Sequence, residues 1–383
     1  MKKDLVSLLS DLIALPSPYP PGTSVEICAY AAKRLRKAGY KVEIATHKKG
    51  VDNVVARRKA PGKQGAKGPV IAFNAHVDTV GVGERTNWKS DPFKALVKGG
   101  LVYGLGAGNC KGSMAVQLWL AEEIARRGGP AKGELIFTFV ADEENLGPEG
   151  MEYLRKSGKV RPDALILGAQ TENNLIVAER GVMWARLTTR GKAAHAGNPD
   201  AGDNAILRMM RLVGALSSYY DKALPNRRSG AMKSTVNIGM FHGGHNTNVV
   251  PSACTVEIDR RLLPDEKVKD AFAELKKVVD GAGEPKSQYT VEFLTGTNGF
   301  AAPANGQAVA AFEAAVKQTG RKVKFLNATG VSDGRYYADD GIEIINFGPG
   351  SGAQGHAANE SVPIDEMVEA AEIQLDVVQR LLS

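Results

Sequence analysis

Cysteine is scarce: 383 residues hold three, Cys28, Cys110 and Cys254. None forms a CxxC pair, which excludes a disulfide scaffold, and the odd count suits a reducing, cytoplasmic setting. No apolar run approaches the ~20 residues of a membrane span. Internal repeats, low-complexity tracts, collagen periodicity and coiled-coil heptads are also missing. The first residues, with Asp4 and Asp11 inside an apolar stretch, predict an amphipathic helix and not a signal peptide. What remains is an ordinary globular mixture, 43% hydrophobic and 24% charged, long enough for two domains or one large one.

Lysine and arginine exceed the acids by 7. Part of that excess lies in Lys48, Lys49, Arg57, Arg58, Lys59, Lys63 and Lys67. Without interleaved aromatics, and with a turn-like Pro-Gly-Lys-Gln-Gly at 61–65, the stretch reads as a solvated loop. No nucleic-acid or membrane partner is expected. The positive balance helps draw in an anionic substrate.

Helical periodicity covers about Lys3–Leu15 and Ser24–Ala38, and Val42–Ala45 and Asn53–Arg57 look like short strands. Val70–Ala75, Leu135–Val140 and Ala164–Leu167 are apolar runs of the kind covered on both faces. Between them a helix carries Met114, Leu118, Ala121 and Ala125, and Gly128-Gly129 stops it. Strands separated by helices imply an α/β sheet with a parallel core. After Gly181 the order becomes strand (Val182–Thr189), helix (Asn204–Tyr219), two strands (Thr235–Phe241, Ala253–Arg260), helix (Asp265–Val279), strand (Tyr289–Phe293), which is ferredoxin-like. Helices at Gln307–Gln318 and Ile364–Leu382, with a strand at Ile342–Phe347, return to the first pattern. The chain therefore reads as an α+β domain, 181–293, inserted into an α/β domain formed by 1–180 and 294–383.

Polar residues gather just past the predicted strand ends, where open α/β sheets bind ligands. His76 and Asp78 follow one strand, and a histidine backed by a carboxylate is a typical oriented metal ligand. Asp142, Glu143 and Glu144 follow another; three acids at a buried strand's exit are costly unless something positive meets them. A glycine-rich loop, Gly104 to Gly112, carries Asn109 into a helix without Walker spacing. His356 lies in His-Ala-Ala-Asn359-Glu360 after three glycines, and His195 sits among small residues in the inserted domain.

Together with Trp88, Asp91-Pro-Phe93, Asn248-Val-Val-Pro251, Asp259-Arg-Arg261 and Gly330-Val-Ser-Asp333, these stretches resemble the co-catalytic metallopeptidases and amidohydrolases of the carboxypeptidase G, aminoacylase, acetylornithine deacetylase and succinyl-diaminopimelate desuccinylase type. The resemblance covers nearly the whole chain. It implies a mixed-sheet α/β catalytic domain and a ferredoxin-like α+β lid that serves as the dimerisation surface, hence a homodimer or larger homo-oligomer. It makes His76 a ligand of one metal, oriented by Asp78, and gives the other metal to Glu144 and His356. Glu143 becomes the general base, His195 the oxyanion donor of a partner subunit's site, and Asn248 and Arg261 the grip on a small carboxylate-bearing substrate.

Three departures stand out. Asn109 replaces an aspartate that bridges the metals, Gly168-Ala169-Gln170-Thr171 replaces Gly-Glu-Pro-Thr with its acidic ligand, and Leu105 replaces an arginine. Glu172, three residues past Ala169, is one replacement for the lost ligand. A cation pair needs a bridging anion that a neutral amide does not supply. One divalent ion per chain, Zn²⁺ or Mn²⁺, is therefore expected, with Asn109 as a neutral donor beside His76, Glu144 and His356. The activity implied is hydrolysis of a C–N bond, foremost the amide of an N-acyl amino acid or short peptide. The altered metal loop leaves open hydrolytic deamination of an aromatic amine, as in nitroanthranilate aminohydrolases, and a silent carboxylate-binding member.

Overall fold

The segments Val70–His76 and Glu134–Val140 have no polar alternation, and both lie buried in the middle of a six-stranded sheet. The computed structural model describes residues 1–62, 67–303, 305–328 and 330–383. It divides into two units: Met1–Val177 with Ala301–Leu326 and Ser332–Ser383, and Ala178–Phe300 with Asn327–Val331.

In the first unit the strands are β1 (Lys41–Lys48), β2 (Val51–Lys59), β3 (Val70–His76), β4 (Glu134–Val140), β5 (Ala164–Gly168) and β10 (Glu343–Phe347), the second unit holding β6 to β9. Their order is β1-β2-β4-β3-β5-β10. The first two pairings are antiparallel and the other three parallel, so the sheet is mixed with a parallel core. Helices α1 (Lys2–Ile13), α2 (Val25–Lys37), α3 (Lys111–Arg126), α7 (Gln307–Gln318) and α8 (Ile364–Leu382) supply the remaining core, with a short α4 at Met151–Lys156. Every residue of α3 from Lys111 to Ala121 is buried. An all-round buried helix has no polar face, which is why periodicity locates it only from Met114 onward.

Register builds the functional edge. His76 stands opposite Val140, Asn74 opposite Leu167, and Leu167 opposite Asn346. The carboxyl ends of four parallel strands are thus level, and the chain leaving each one emerges beside the others.

The basic stretch is not a loop throughout. Arg57, Arg58 and Lys59 belong to β2; Arg57 pairs with Glu134 at 3.1 Å, and Arg58 donates to the carbonyls of Ala38 and Gly128 at two helix ends. Cations belong at helix C-termini, where the dipole is negative. Lys63 and most of the turn expected at 61–65 lie outside the described residues.

In the second unit β6 (Gly181–Arg190), β7 (Thr235–Gly243), β8 (Ala253–Leu262) and β9 (Tyr289–Thr297) form an antiparallel sheet ordered β7-β8-β6-β9. Helices α5 (Ala205–Ala223) and α6 (Val268–Asp280) share its core with Met183, Leu187, Val256 and Ile258. Strand β8 alternates buried and half-exposed residues over nine positions, as a sheet covered on one face requires. Edge strand β7 leaves Ile238, Met240 and Phe241 exposed, as α5 leaves Leu207 and Met210. Among the described residues no helix is long and apolar enough to cross a membrane.

Candidate metal and catalytic site

His76 ends β3, buried, with Nδ1 3.0 Å from the Asp78 backbone oxygen and 3.5 Å from Asp78 Oδ1. With an acceptor held at Nδ1, a proton belongs there, and Nε2, which here meets Asn109 Oδ1, is the nitrogen turned toward a cation's place. Burial presses the imidazole toward neutrality, yet Cys110, Asp78 and Glu143 together hold it well above the ordinary histidine value. Asp78 is buried too, and its Oδ2 accepts the Glu144 amide at 3.2 Å. The residue that orients His76 therefore also fixes the backbone that presents Glu144.

The acids after β4 leave the sheet through a tight loop. Asp142 takes φ 68°, and Gly147 returns its N–H to the Asp142 carbonyl at 3.0 Å. A Cβ at Gly147 would stand 1.8 Å from Asp142 Oδ2, so only glycine permits this turn. Asp142 thus braces the loop by accepting the Glu149 amide, while Glu143 and Glu144 point to the His76 edge. One ligand atom from each of His76, Glu143 and Glu144 falls within 4.8 Å of the others. Burial raises the Glu143 carboxyl; His76 and Arg335 draw it back, Asp333 and Glu144 raise it further, and it stays above the ordinary carboxylate range.

The glycine-rich loop is held by Glu360, whose buried carboxylate accepts the backbone amides of Gly106, Gly108 and Asn109 at 2.9, 3.0 and 2.5 Å. Asn109 consequently projects its amide into the group. Oδ1 lies 3.1 Å from His76 Nε2, and Nδ2 lies 2.6 Å from Glu144 Oε1 and 3.2 Å from His356 Nε2. His356, at φ 65°, places Nε2 2.9 Å from Glu144 Oε2. Its neighbour Asn359 anchors that segment to Asn87 and Lys89.

The structure brings together His76, Asp78, Asn109, Glu143, Glu144 and His356. Ala169 offers no donor. Gln170 runs on from it, and a Cβ on Gly108 or Gly355 would meet its amide at 2.6 and 3.1 Å. Glu172 is exposed and stands outside the group: its amide bonds Gly350 and its carbonyl accepts from Arg321. Leu105 is buried. His195, Asn248 and Arg261 belong to the second unit. There the Ala196 amide donates to the Asn248 carbonyl at 3.0 Å, Gly197 donates to His195 Nδ1, and Arg261 bonds Asp259 at 2.8 Å.

Sequence reasoning gave no role to Arg335, which lies 3.6 Å from Glu143, or to Glu360. Arg335 follows a loop without periodicity and looks like any solvated arginine. Glu360 closes the His356–Glu360 stretch that follows a glycine-rich segment, but its partners are main-chain amides more than 250 residues away in sequence.

His76, Glu143 and Glu144 bring an imidazole and two carboxylates within reach of a divalent cation, with Asp78 behind His76, and His356 joins them through Glu144. A family model described as peptidase family M20/M25/M40 matches residues 72–380. The chain is 29% identical over 395 residues to a succinyl-diaminopimelate desuccinylase of Xanthobacter autotrophicus, covering 99% of each. It is 28% identical over 408 residues to an N-formyl-4-amino-5-aminomethyl-2-methylpyrimidine deformylase of Bacillus subtilis, covering 98% of this chain and 94% of that one. In fold it is similar to an aminopeptidase from Bacillus cereus (TM-score 0.80, 21% identity, 100% and 99% covered). It is also similar to a dinuclear metal-binding peptidase of the M20 family from Bacillus subtilis (TM-score 0.75, 17% identity, 100% and 98% covered).

Proposed function

The chain belongs to peptidase family M20/M25/M40, metal-dependent hydrolases of amide C–N bonds, and from that premise we propose that it cleaves the amide of a small N-acyl amino acid or short peptide bearing a free carboxylate. The observation that carries this reading is the convergence of His76, Glu143 and Glu144 within 4.8 Å. A base beside two ligands is what hydrolysis by activated water needs.

His76, Glu144 and His356 would hold one divalent ion, Zn²⁺ or Mn²⁺, with the Asn109 oxygen as a weak fourth donor. Such an ion supplies a Lewis acid and lowers the pKa of water. Glu143 takes the proton of the attacking water on its carboxylate and later returns it to the leaving nitrogen. Asp78 keeps His76 in the tautomer that offers Nε2. We assign His195 to the oxyanion of a partner subunit's site, and Asn248 and Arg261 to the substrate carboxylate. We further propose a homodimer through the second unit, because β7 is an unpaired edge carrying exposed Ile238, Met240 and Phe241 beside Leu207 and Met210.

The test is a panel of N-acyl amino acids, dipeptides and aromatic amines with Zn²⁺ or Mn²⁺ added. Amine and carboxylate release from an amide supports the reading. Ammonia release from an aromatic amine alone replaces it with hydrolytic deamination, and silence across the panel overturns it.

A further inference from the structure

Arg335 carries a full charge where few groups accept its hydrogens. Its side chain is 1% exposed, Nη2 donates to Tyr336 Oη at 2.9 Å, and the guanidinium lies 4.4 Å over the Tyr336 ring. Nε and Nη1 have no hydrogen-bond partner among the described residues. Buried donors are nearly always bonded, so this pair calls for an explanation.

Two carboxylates face the guanidinium, Asp333 buried and Glu143 half-buried: Asp333 Oδ1 is 4.0 Å from Nη2, and Glu143 Oε1 is 3.6 Å from Nη1. Asp333 is fixed from behind, accepting Asn74 Nδ2 at 3.1 Å, while Asn74 in turn accepts Thr138 Oγ1. The Glu143 carboxylate accepts no hydrogen bond among the described residues. Tyr336 addresses the same loop through its backbone, since its hydroxyl donates to Gly147 O at 2.8 Å. That loop is closed by Leu146 N–H to Glu143 O at 2.9 Å. Consecutive residues of one 3-10 turn, Asp333–Tyr337, therefore touch both the side chain and the backbone of the Glu143 loop.

We propose that Arg335 is a positioning residue for Glu143: its Nη1–H engages Oε1 and leaves Oε2 turned toward the attacking water. The proposal rests on the reading of Glu143 as the base. Tyr336 and Asp333 both face Nη2, so the planar fork turns Nη1 toward Glu143. A lysine ammonium, a point charge on a flexible stem, has no such geometry. Hydrogen bonds of this kind are often long without substrate and tighten in the working complex.

The experiment compares Arg335→Gln, Arg335→Lys and Arg335→Ala with the parent protein. Arg335→Gln should lower kcat by ~10²-fold, the cost of a misplacement near 1 Å, with KM and bound metal unchanged. Methylguanidinium added to Arg335→Ala should restore part of the turnover, and should restore none when Glu143→Gln is also present. Glu143→Gln and Arg335→Gln together should lose no more than the worse single variant. Crystal structures supply the readout independent of activity. In Arg335→Gln the Glu143 carboxylate should leave its position while His76, Asn109 and Glu144 stay. An unmoved Glu143, kcat within about twofold of the parent, or fully additive losses would each overturn the proposal. Arg335→Lys keeps the charge and decides the case if the neutral variants do not fold. Should the parent hydrolyse nothing, the hydrolase reading fails while the crystallographic comparison still judges Arg335.

Discussion

The Asn109 side chain donates to Glu144 across 2.6 Å. An aspartate in its place would set two anions at that separation, tolerable only with cations between them. The amide proton does part of that work without an ion. Its oxygen end faces His76 and its nitrogen end faces Glu144 and His356, so a neutral group spans the site where a bridging charge would stand.

Metal stoichiometry follows from this. The protein should retain at most one divalent ion per chain after dialysis, with affinity that falls at low pH because ligands must be deprotonated. Elemental analysis and back-titration measure it. Asn109→Asp combined with Ala169→Glu should raise the count toward two, and two tightly held ions in the parent protein would refute the single-ion site.

Glu143→Gln keeps the shape of the side chain and removes its proton-accepting power. Turnover should drop by ~10²-fold or more with the fold and metal content intact. Glu144→Ala should lose activity together with metal, because that carboxylate faces His356 and Asn109 at once. Steady-state kinetics paired with metal analysis separates the two roles.

Glu360→Ala should destabilise the first unit. It strips the acceptor from three backbone amides of the loop that carries Asn109. At ~1–3 kcal/mol for each buried donor left unpaired, a loss of about 3 kcal/mol or more is expected. Urea unfolding measures it, and metal affinity should weaken in parallel as Asn109 loses its anchor.

Acid should weaken the second unit through Glu266. Burial raises its carboxyl, but Ser234, the Leu263 amide, Arg260 and Arg227 outweigh that and hold it below the ordinary value of 4.5. A pKa depressed in the folded state contributes stability that is present above the unfolded value and lost as pH falls through the folded one. The Tm difference between the parent and Glu266→Gln should therefore be largest near neutrality and shrink below about pH 4.5. A constant difference down to pH 3 would contradict the assignment.

Met210→Glu and Phe241→Glu place charges on the exposed apolar strip of the second unit. If that strip is the homodimer contact, sedimentation should show monomers for both variants with an unchanged fold. A parent protein that sediments as a monomer would refute the contact.

What the chain determined locally was legible early. Val70–Ala75 and Leu135–Val140 read as buried strands because a run without polar alternation has no solvent face. His76 and Glu143-Glu144 stood out because charge at such a strand's end needs a partner. The ferredoxin-like order of the inserted segment followed from alternating strand and helix periods. Tertiary structure decided the rest, since each remaining feature depends on residues far apart in sequence. Parallel register set His76 level with Val140, and so brought the acids after β4 to the imidazole. Glu360 meets the amides of Gly106, Gly108 and Asn109 only once the last strand and helix have packed. The direction of the Asn109 amide depends on which acceptors surround it, and those come from three separate loops. Arg335 is an unremarkable charge until burial removes its water and leaves Glu143 as the acceptor its free N–H faces.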